Sequence, residues 1–349
     1  MPAPIEISPL DTNTLLGFYR EVPAPSNYFR NLLVSSVINS EDEFIDFEKL
    51  VEGRKLAPLV VPTAQGVPMY SEASRMSRVK PAYLKPKDPV SPGRAIKRRP
   101  GEGMFSPNSM TPRGRFMAII GDILRTHRSA IERRLEWMCA EAAIHGKVTL
   151  AGENYPTTVV DFGRNADHTV VLTGVATWDN VDADIVGDLN TWIERVRRAE
   201  FGGPVNRVTL GKDVVGPFLK NKSVREHLDT QIRGTNGELN IGIRTGEYSE
   251  RLGRLGNLEI WTTSDFYELP QGGTKEFMPA KGVLLTGPNI NMVEAYGAIL
   301  DDKANFNALP VFPKQWTNDD PAVTYVMSQS SPIEVPVNPN NTLFATVLA

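Results

Sequence analysis

The chain has 349 residues, with 38 Lys or Arg against 41 Asp or Glu and a formal net charge of −3, and that balance excludes a molecule drawn bodily to nucleic acid. The length allows two or three subdomains with cores of their own. The single cysteine, Cys139, excludes an intrachain disulfide and fits a reducing compartment. No apolar run approaches the ~20 residues that a membrane span needs. The opening Met1-Pro2-Ala3-Pro4-Ile5-Glu6 has neither the basic nor the apolar part of a secretory signal, so a cytosolic product without a membrane anchor is expected.

Residues 1–48 are flecked with proline, hold a helical turn or two before Pro23 and Pro25, and then an apolar stretch over 28–37. They read as an extended arm. Residues 49–110 carry short extended pieces over 56–62 and 69–70, and Pro62, Pro68, Pro81, Pro86 and Pro89 punctuate them. Proline removes a ladder donor and biases its predecessor to extended geometry, so a long two-stranded loop with edge-type strands is expected. Residues 75–99 put nine cations (Arg75, Arg78, Lys80, Lys85, Lys87, Arg94, Lys97, Arg98 and Arg99) against one acid, Asp88. The cluster from Pro100 to Pro112 reads as a hinge or loop.

The clearest element is a helix over 115–145. Phe116, Ile120, Ile123, Leu124, Ile131, Leu135 and Met138 recur at three- and four-residue steps and form its expected core stripe. Gly146 supplies the stop. Strands are expected over 147–150, 157–162 and 169–175. A helix capped by Asp182 or Asp184 follows, with Ile185, Leu189, Trp192, Ile193 and Val196 inward. Then come a strand over 205–210, a helix over 213–228, and strands over 258–266, 282–285, 323–327 and 343–348. The class is α+β, with few βαβ alternations.

Catalytic signatures are missing. Neither G-x-G-x-x-G nor G-x-S-x-G occurs, and the stretch from Gly203 to Lys212 has the wrong spacing for a phosphate loop. His127, His145, His168 and His227 are scattered without ligand spacing, so no metal and no cofactor are expected. Cys139, beside Trp137 and Met138, reads as a buried inert thiol, and His127 as a packed histidine. Beside a plain solvated charged loop, the basic run has two functional readings. It could bind nucleic acid, with Tyr70 and Tyr83 adding stacking, or dock on the acidic surface of another subunit. The acidic balance of the surrounding chain favours docking. Arg75, Arg78, Lys80, Lys85, Lys87, Arg98 and Arg99 are its expected contacts.

Several short motifs occur in a telling order. Tyr83-Leu84-Lys85-Pro86-Lys87 precedes the Arg98-Arg99 pair. His145-Gly146-Lys147, Gly152-Glu153 and Asp161-Phe162-Gly163-Arg164 follow the long helix. Phe312-Pro313-Lys314-Gln315-Trp316, Pro321 and Gln329-Ser330-Ser331-Pro332 come near the end. In this order they resemble the major capsid proteins of lambda-type tailed phages, the phage capsid protein E family. The resemblance implies the Hong Kong 97-type capsid fold. Residues 1–48 would be its N-terminal arm and 49–110 its extended E-loop. Residues 111–185 would be a P-domain built on the spine helix 115–145, 186–304 an A-domain, and 305–349 a return to the P-domain. It implies a structural shell protein of the virion, not an enzyme, that self-assembles through pentamers and hexamers around double-stranded DNA after accumulating in the host cytoplasm. A portal and a decoration protein are further implied partners. The family's usual Thr is Ala151 here, and no long charged helical extension opens the chain, so a separate scaffolding protein is expected. No cross-linking Lys–Asn pair can be assigned.

Overall fold

In the computed structural model one helix, Pro112–His145, runs through the molecule. The structure describes residues 15, 27–42, 44–50, 74–97, 111–152, 155–200, 202–231, 237–239, 248–269, 272–320 and 322–349. The extended pieces expected over 56–62 and 69–70, and Arg98, Arg99, Glu153 and Pro321, lie outside them.

In chain order, a short helix Tyr28–Leu33 leads into β1 (Val34–Asn39) and β2 (Ile45–Leu50); β3 (Ser74–Val79), β4 (Lys87–Val90), a turn of helix Pro92–Ile96 and the long helix follow. Next come β5 (Lys147–Gly152), β6 (Tyr155–Asp161), β7 (Thr169–Val171), helix Ile185–Arg198, β8 (Arg207–Leu210) and helices Val215–Lys220 and Lys222–Gln231. Strands β9 (Gly237–Leu239), β10 (Ser249–Leu255), β11 (Leu258–Thr263), β12 (Phe266–Glu268), β13 (Thr274–Glu276) and β14 (Gly282–Thr286) follow. The chain closes with β15 (Met292–Tyr296), β16 (Phe312–Asn318), β17 (Val323–Gln329), β18 (Pro332–Pro336) and β19 (Thr342–Thr346).

The long helix starts three residues before the sequence expectation. Pro112 is its first residue, where a missing N–H costs nothing, and Thr111 Oγ1 accepts a 3.1 Å hydrogen bond from Gly114 N. It ends where Gly146 turns left-handed, at φ 67°. The expected helix over 213–228 is two helices. Asn221 separates them, its Oδ1 accepting from Ser223 N and its Nδ2 donating to the carbonyls of Val181 and Ala183. The expected strand over 258–266 likewise breaks into β11 and β12, and the one over 169–175 stops at Val171.

Three sheets dominate. A seven-stranded sheet has the order β7-β19-β14-β8-β11-β10-β9, mixed parallel and antiparallel. Helix Ile185–Arg198, capped by Asp184, lays Ile185, Leu189, Trp192 and Val196 on it, and Trp192 stacks on Trp178 at 5.7 Å. A three-stranded sheet, β1-β15-β18, lies against the C-terminal half of the long helix, where Ala140, Ala142 and Ala143 allow close approach. A second three-stranded sheet, β16-β17-β4, covers its N-terminal half. The segment from 305 onward therefore serves all three layers, with β19 interior to the large sheet.

Candidate functional site

Phe116, Ile120, Ile123, Leu124, Ile131, Leu135 and Met138 are all buried, Ile120, Leu124 and Met138 completely. They fall into two cores. Ile131, Leu135 and Met138 join Phe29 and Leu33 of the first helix, Val148 of β5, Met292 and Ala295 of β15, and Ile333 and Val335 of β18. Phe116, Ile120, Ile123 and Leu124 join Leu15, Val90 of β4 and Val326 of β17.

Two of the motif groups meet beside these cores, where Leu84 packs against the first and Tyr83 and Phe312 share a further small cluster with Ile299 and Ala304. Leu84 bridges Ser330 in both directions, N to O at 2.8 Å and O to N at 3.1 Å. Tyr83 Oη accepts from Leu300 N at 2.6 Å. Asp301 accepts from Lys314 Nζ at 2.6 Å and Gln329 Nε2 at 2.9 Å. Lys87 Nζ sits 4.1 Å from the Tyr325 ring centre and 5.2 Å from that of Trp316, rings which stack on each other. A cation over two aromatic faces gains quadrupole attraction while keeping water on its open side. His127 reaches across from the long helix, Nε2 at 3.0 Å from Asp88 Oδ2 and Nδ1 at 3.1 Å from Ser328 Oγ. Burial holds its pKa below the ordinary value despite the aspartate. It is therefore a neutral tie between the helix and the returning basic segment.

The third motif group forms the end of the long helix. Arg164 Nη1 donates to Ala143 O at 2.8 Å and Nη2 to Ile144 O at 2.7 Å, satisfying carbonyls that a helix terminus leaves open. Burial pushes this guanidinium down to about 10. A Cβ on Gly146 would come 2.6 Å from Arg164 Cβ, so the glycine serves both the left-handed turn and the arginine's approach.

Of the remaining basic residues, Arg78, Lys80 and Lys85 meet partners within the chain. Arg78 makes a bidentate pair with Asp46, at 2.7 and 2.8 Å, so that β3 is tied across to β2. Arg78 and Lys80 both lie over the Phe44 ring, and Lys85 lies 4.5 Å from the Tyr83 ring centre. Arg75 pairs in register with Lys49. Arg78, Lys80, Lys85 and Lys87 remain exposed.

Sequence reasoning missed a buried carboxylate seat for the first helix. Glu136 accepts from Phe29 N at 2.7 Å and Arg30 N at 2.9 Å, and so caps that helix from the side of the long one. The Arg30 guanidinium forks onto Glu294, at 2.6 and 2.9 Å, and also pairs with Glu132. Tyr296 Oη donates to Glu294. Glu334, opposite Glu294 in the β15–β18 register and fully buried, has no well-formed hydrogen bond on either oxygen among the described residues. Burial pushes Glu136 up to about 7 and Glu334 well above the carboxylate range, the latter helped by the charge of Glu294. Four carboxylates around one guanidinium cannot all be ionised in a low-dielectric interior. The available signal was an acid flanked by apolar residues in two short strands, Met292-Val293-Glu294-Ala295-Tyr296 and Pro332-Ile333-Glu334-Val335-Pro336.

Cys139 is fully buried and its thiol pKa is raised by burial, the reverse of what a nucleophile needs. Among the described residues no group of three or more His, Cys, Asp or Glu is placed to hold a metal ion. Among the described residues no helix is long and apolar enough to cross a membrane.

The family model described as Phage major capsid protein E matches residues 11–347. The major capsid protein of Enterobacteria phage P21 is 27% identical, covering 94% of this chain and 96% of its own. That of Escherichia phage lambda is 29% identical over 82% and 83%. Among solved structures, a prophage capsid protein of Escherichia coli CFT073 superposes with a TM-score of 0.74 at 23% identity, covering 98% of this chain and all of that one. The mature capsid subunit of bacteriophage PhiM1 gives 0.53 at 12% identity, covering 93% and 88%.

Proposed function

The chain belongs to the phage major capsid protein E family, has the Hong Kong 97-type fold and is a structural shell subunit; from that premise we propose that it tiles an icosahedral head through pentamers and hexamers around double-stranded DNA. The observation that carries the reading is the family match over residues 11–347. Heterologous contacts that close into rings generate such capsomers from one chain. Family and fold point to a structural, non-enzymatic role, and favour a shell subunit over a nucleic-acid-binding protein working through residues 75–99.

On this reading residues 1–48 are the arm, 49–110 the E-loop, 111–185 with 305–349 the P-domain, and 186–304 the A-domain. Strand β19 stitches the return segment into the A-domain sheet. The exposed cations Arg78, Lys80, Lys85 and Lys87, with Arg75, Arg98 and Arg99, contact acidic surface on neighbouring copies. Their support is a basic excursion in a chain of net charge −3. Assembly in the host cytoplasm uses a separate scaffolding protein and a portal, and the finished shell accepts a decoration protein.

Electron microscopy of the overexpressed full chain, alone and with its phage's scaffolding protein, tests this. Closed shells with fivefold vertices are expected. Soluble monomers under both conditions would overturn it.

A further inference from the structure

Between the long helix and β12 lies a groove of about 690 Å³. The helix lines it with Arg125, Arg133, Arg134 and Trp137, and β12 with Phe266 and Tyr267. The three arginines differ. Arg125 Nη1 donates to Asp122 Oδ1 at 3.0 Å, and Arg133 Nη1 to Asp265 Oδ1 at 2.8 Å and to Phe266 O at 2.9 Å. Arg134 has no carboxylate partner among the described residues. Its guanidinium lies 4.9 Å from the Trp137 ring centre, half-buried, with its pKa lowered by burial.

A half-buried cation that no anion neutralises is held at a cost. The stacking on Trp137 fixes the guanidinium as a planar fork, the geometry that receives a carboxylate through two parallel hydrogen bonds. The rings of Trp137, Phe266 and Tyr267 offer apolar surface beside it. The basic segment 75–99 of another copy is the wrong sign for this place. A continuous phosphate backbone is also poorly matched, because Glu268 lines the same groove and would face a neighbouring phosphate. A peptide that places a carboxylate at Arg134 and apolar side chains against the rings fits both features.

We infer that this groove docks an acidic, apolar-flanked segment of a separate partner protein, with Arg134 as its carboxylate anchor. The inference rests on the shell-subunit reading, under which a scaffolding protein is the partner that must bind and later leave. A hydrogen-bonded ion pair of this kind suits reversible docking, since it weakens with ionic strength.

The test is fluorescence anisotropy on the full-length subunit with three labelled probes: a peptide of mixed Glu and Leu, the same peptide with Gln for Glu, and a single-stranded DNA oligonucleotide. The Glu peptide should bind, and more weakly as salt rises. Arg134→Gln should weaken it by about tenfold or more, Arg134→Lys by less, and Arg197→Gln, on a different helix and paired with Glu194, not at all. Equal binding of the Gln peptide, indifference to Arg134→Gln in a variant of unchanged melting temperature, or tighter competing binding of the oligonucleotide would each overturn the proposal. Shell closure by the wild-type chain is scored separately, so a failed groove and a failed capsid reading give different results.

Discussion

Along the C-terminal half of the long helix, Ile131, Leu135, Met138 and Ile144 sink into a core shared by the arm, β5, β15 and β18, while along the N-terminal half Phe116, Ile120, Ile123 and Leu124 meet a small cluster around Leu15, Val90 and Val326. One half is fixed to the body of the subunit. The other is fixed mainly to the layer that carries the returning basic segment. His127, between Asp88 and Ser328, marks the boundary. The same periodic stripe thus does two jobs: it roots the helix at one end and seats a reaching element at the other.

The largest expected effect separates the halves. Leu135→Asp buries an unpaired charge in the deep core and should cost upwards of about 4 kcal/mol, leaving no soluble subunit. Ile123, 7% exposed in the smaller cluster, can turn a carboxylate toward water. Ile123→Asp should therefore lower the melting temperature but leave soluble protein that fails to close shells. Equal loss of soluble yield would collapse the distinction between the two halves.

Next comes the carboxylate seat, on the rooted half. Arg30→Ala leaves Glu294 without its cation and Glu132 with only Arg128, at 3.8 Å, and should cost about 3 kcal/mol; adding Glu294→Gln should restore part of it in the same thermal melts. The seat also predicts a pH slope. Glu136, pushed up to about 7 by burial, holds a proton in the folded state that it gives up in the unfolded one. Its contribution to stability is therefore full below the ordinary glutamate range, declines as pH rises toward about 7, and is flat above. Glu132, Glu294, Glu334, Arg30, Tyr296 and Asp265 face the same space, and Glu334, also raised by burial, contributes a slope of the same sign. Glu136→Gln should make the slope up to about pH 7 shallower in melts between pH 5 and 8. An unchanged profile would mean that Glu136 does not carry it.

Smaller effects test the two ends. Gly146→Ala forces a side chain into the left-handed turn and against Arg164, costing about 1–2 kcal/mol or more. Lys87→Ala removes one cation from over two rings, about 0.5–1 kcal/mol. In urea titrations Gly146→Ala should move the midpoint clearly and Lys87→Ala barely. The reverse order would show that the basic segment is the better anchored of the two.

The helix was legible because its apolar residues repeat at helical spacing over many turns, a signal that no single neighbour can mask. Its start was misread because Pro112 looked like the end of a loop, although Thr111-Pro112 is also a good helix entry. The local hairpin β5–β6 was equally open to reading, since its strands adjoin. Partners far apart in the chain were not. Nothing in residues 34–39 announces β15, and nothing in 169–171 announces β19, because strand pairing is decided by tertiary packing. The carboxylate seat escaped for the same reason: Arg30, Glu136, Glu294 and Glu334 come from four elements. The motif residues were visible as a pattern, but only the fold brings Leu84 to Ser330 and Arg164 to the carbonyls of Ala143 and Ile144.

The position of β19 sets a timetable for the newborn chain. It lies between β7 and β14, and its partners leave the ribosome before it does. Until residues 342–346 emerge, β14 lacks one neighbour and β7 has none in its sheet. Pairings of such long sequence separation form slowly, because loop closure must be met first. Ribosome-bound nascent chains should therefore stay sensitive to protease, and unable to join a shell, until β19 is out. That delay would keep partly made copies, crowded on one message, from nucleating shells around the machinery that makes them.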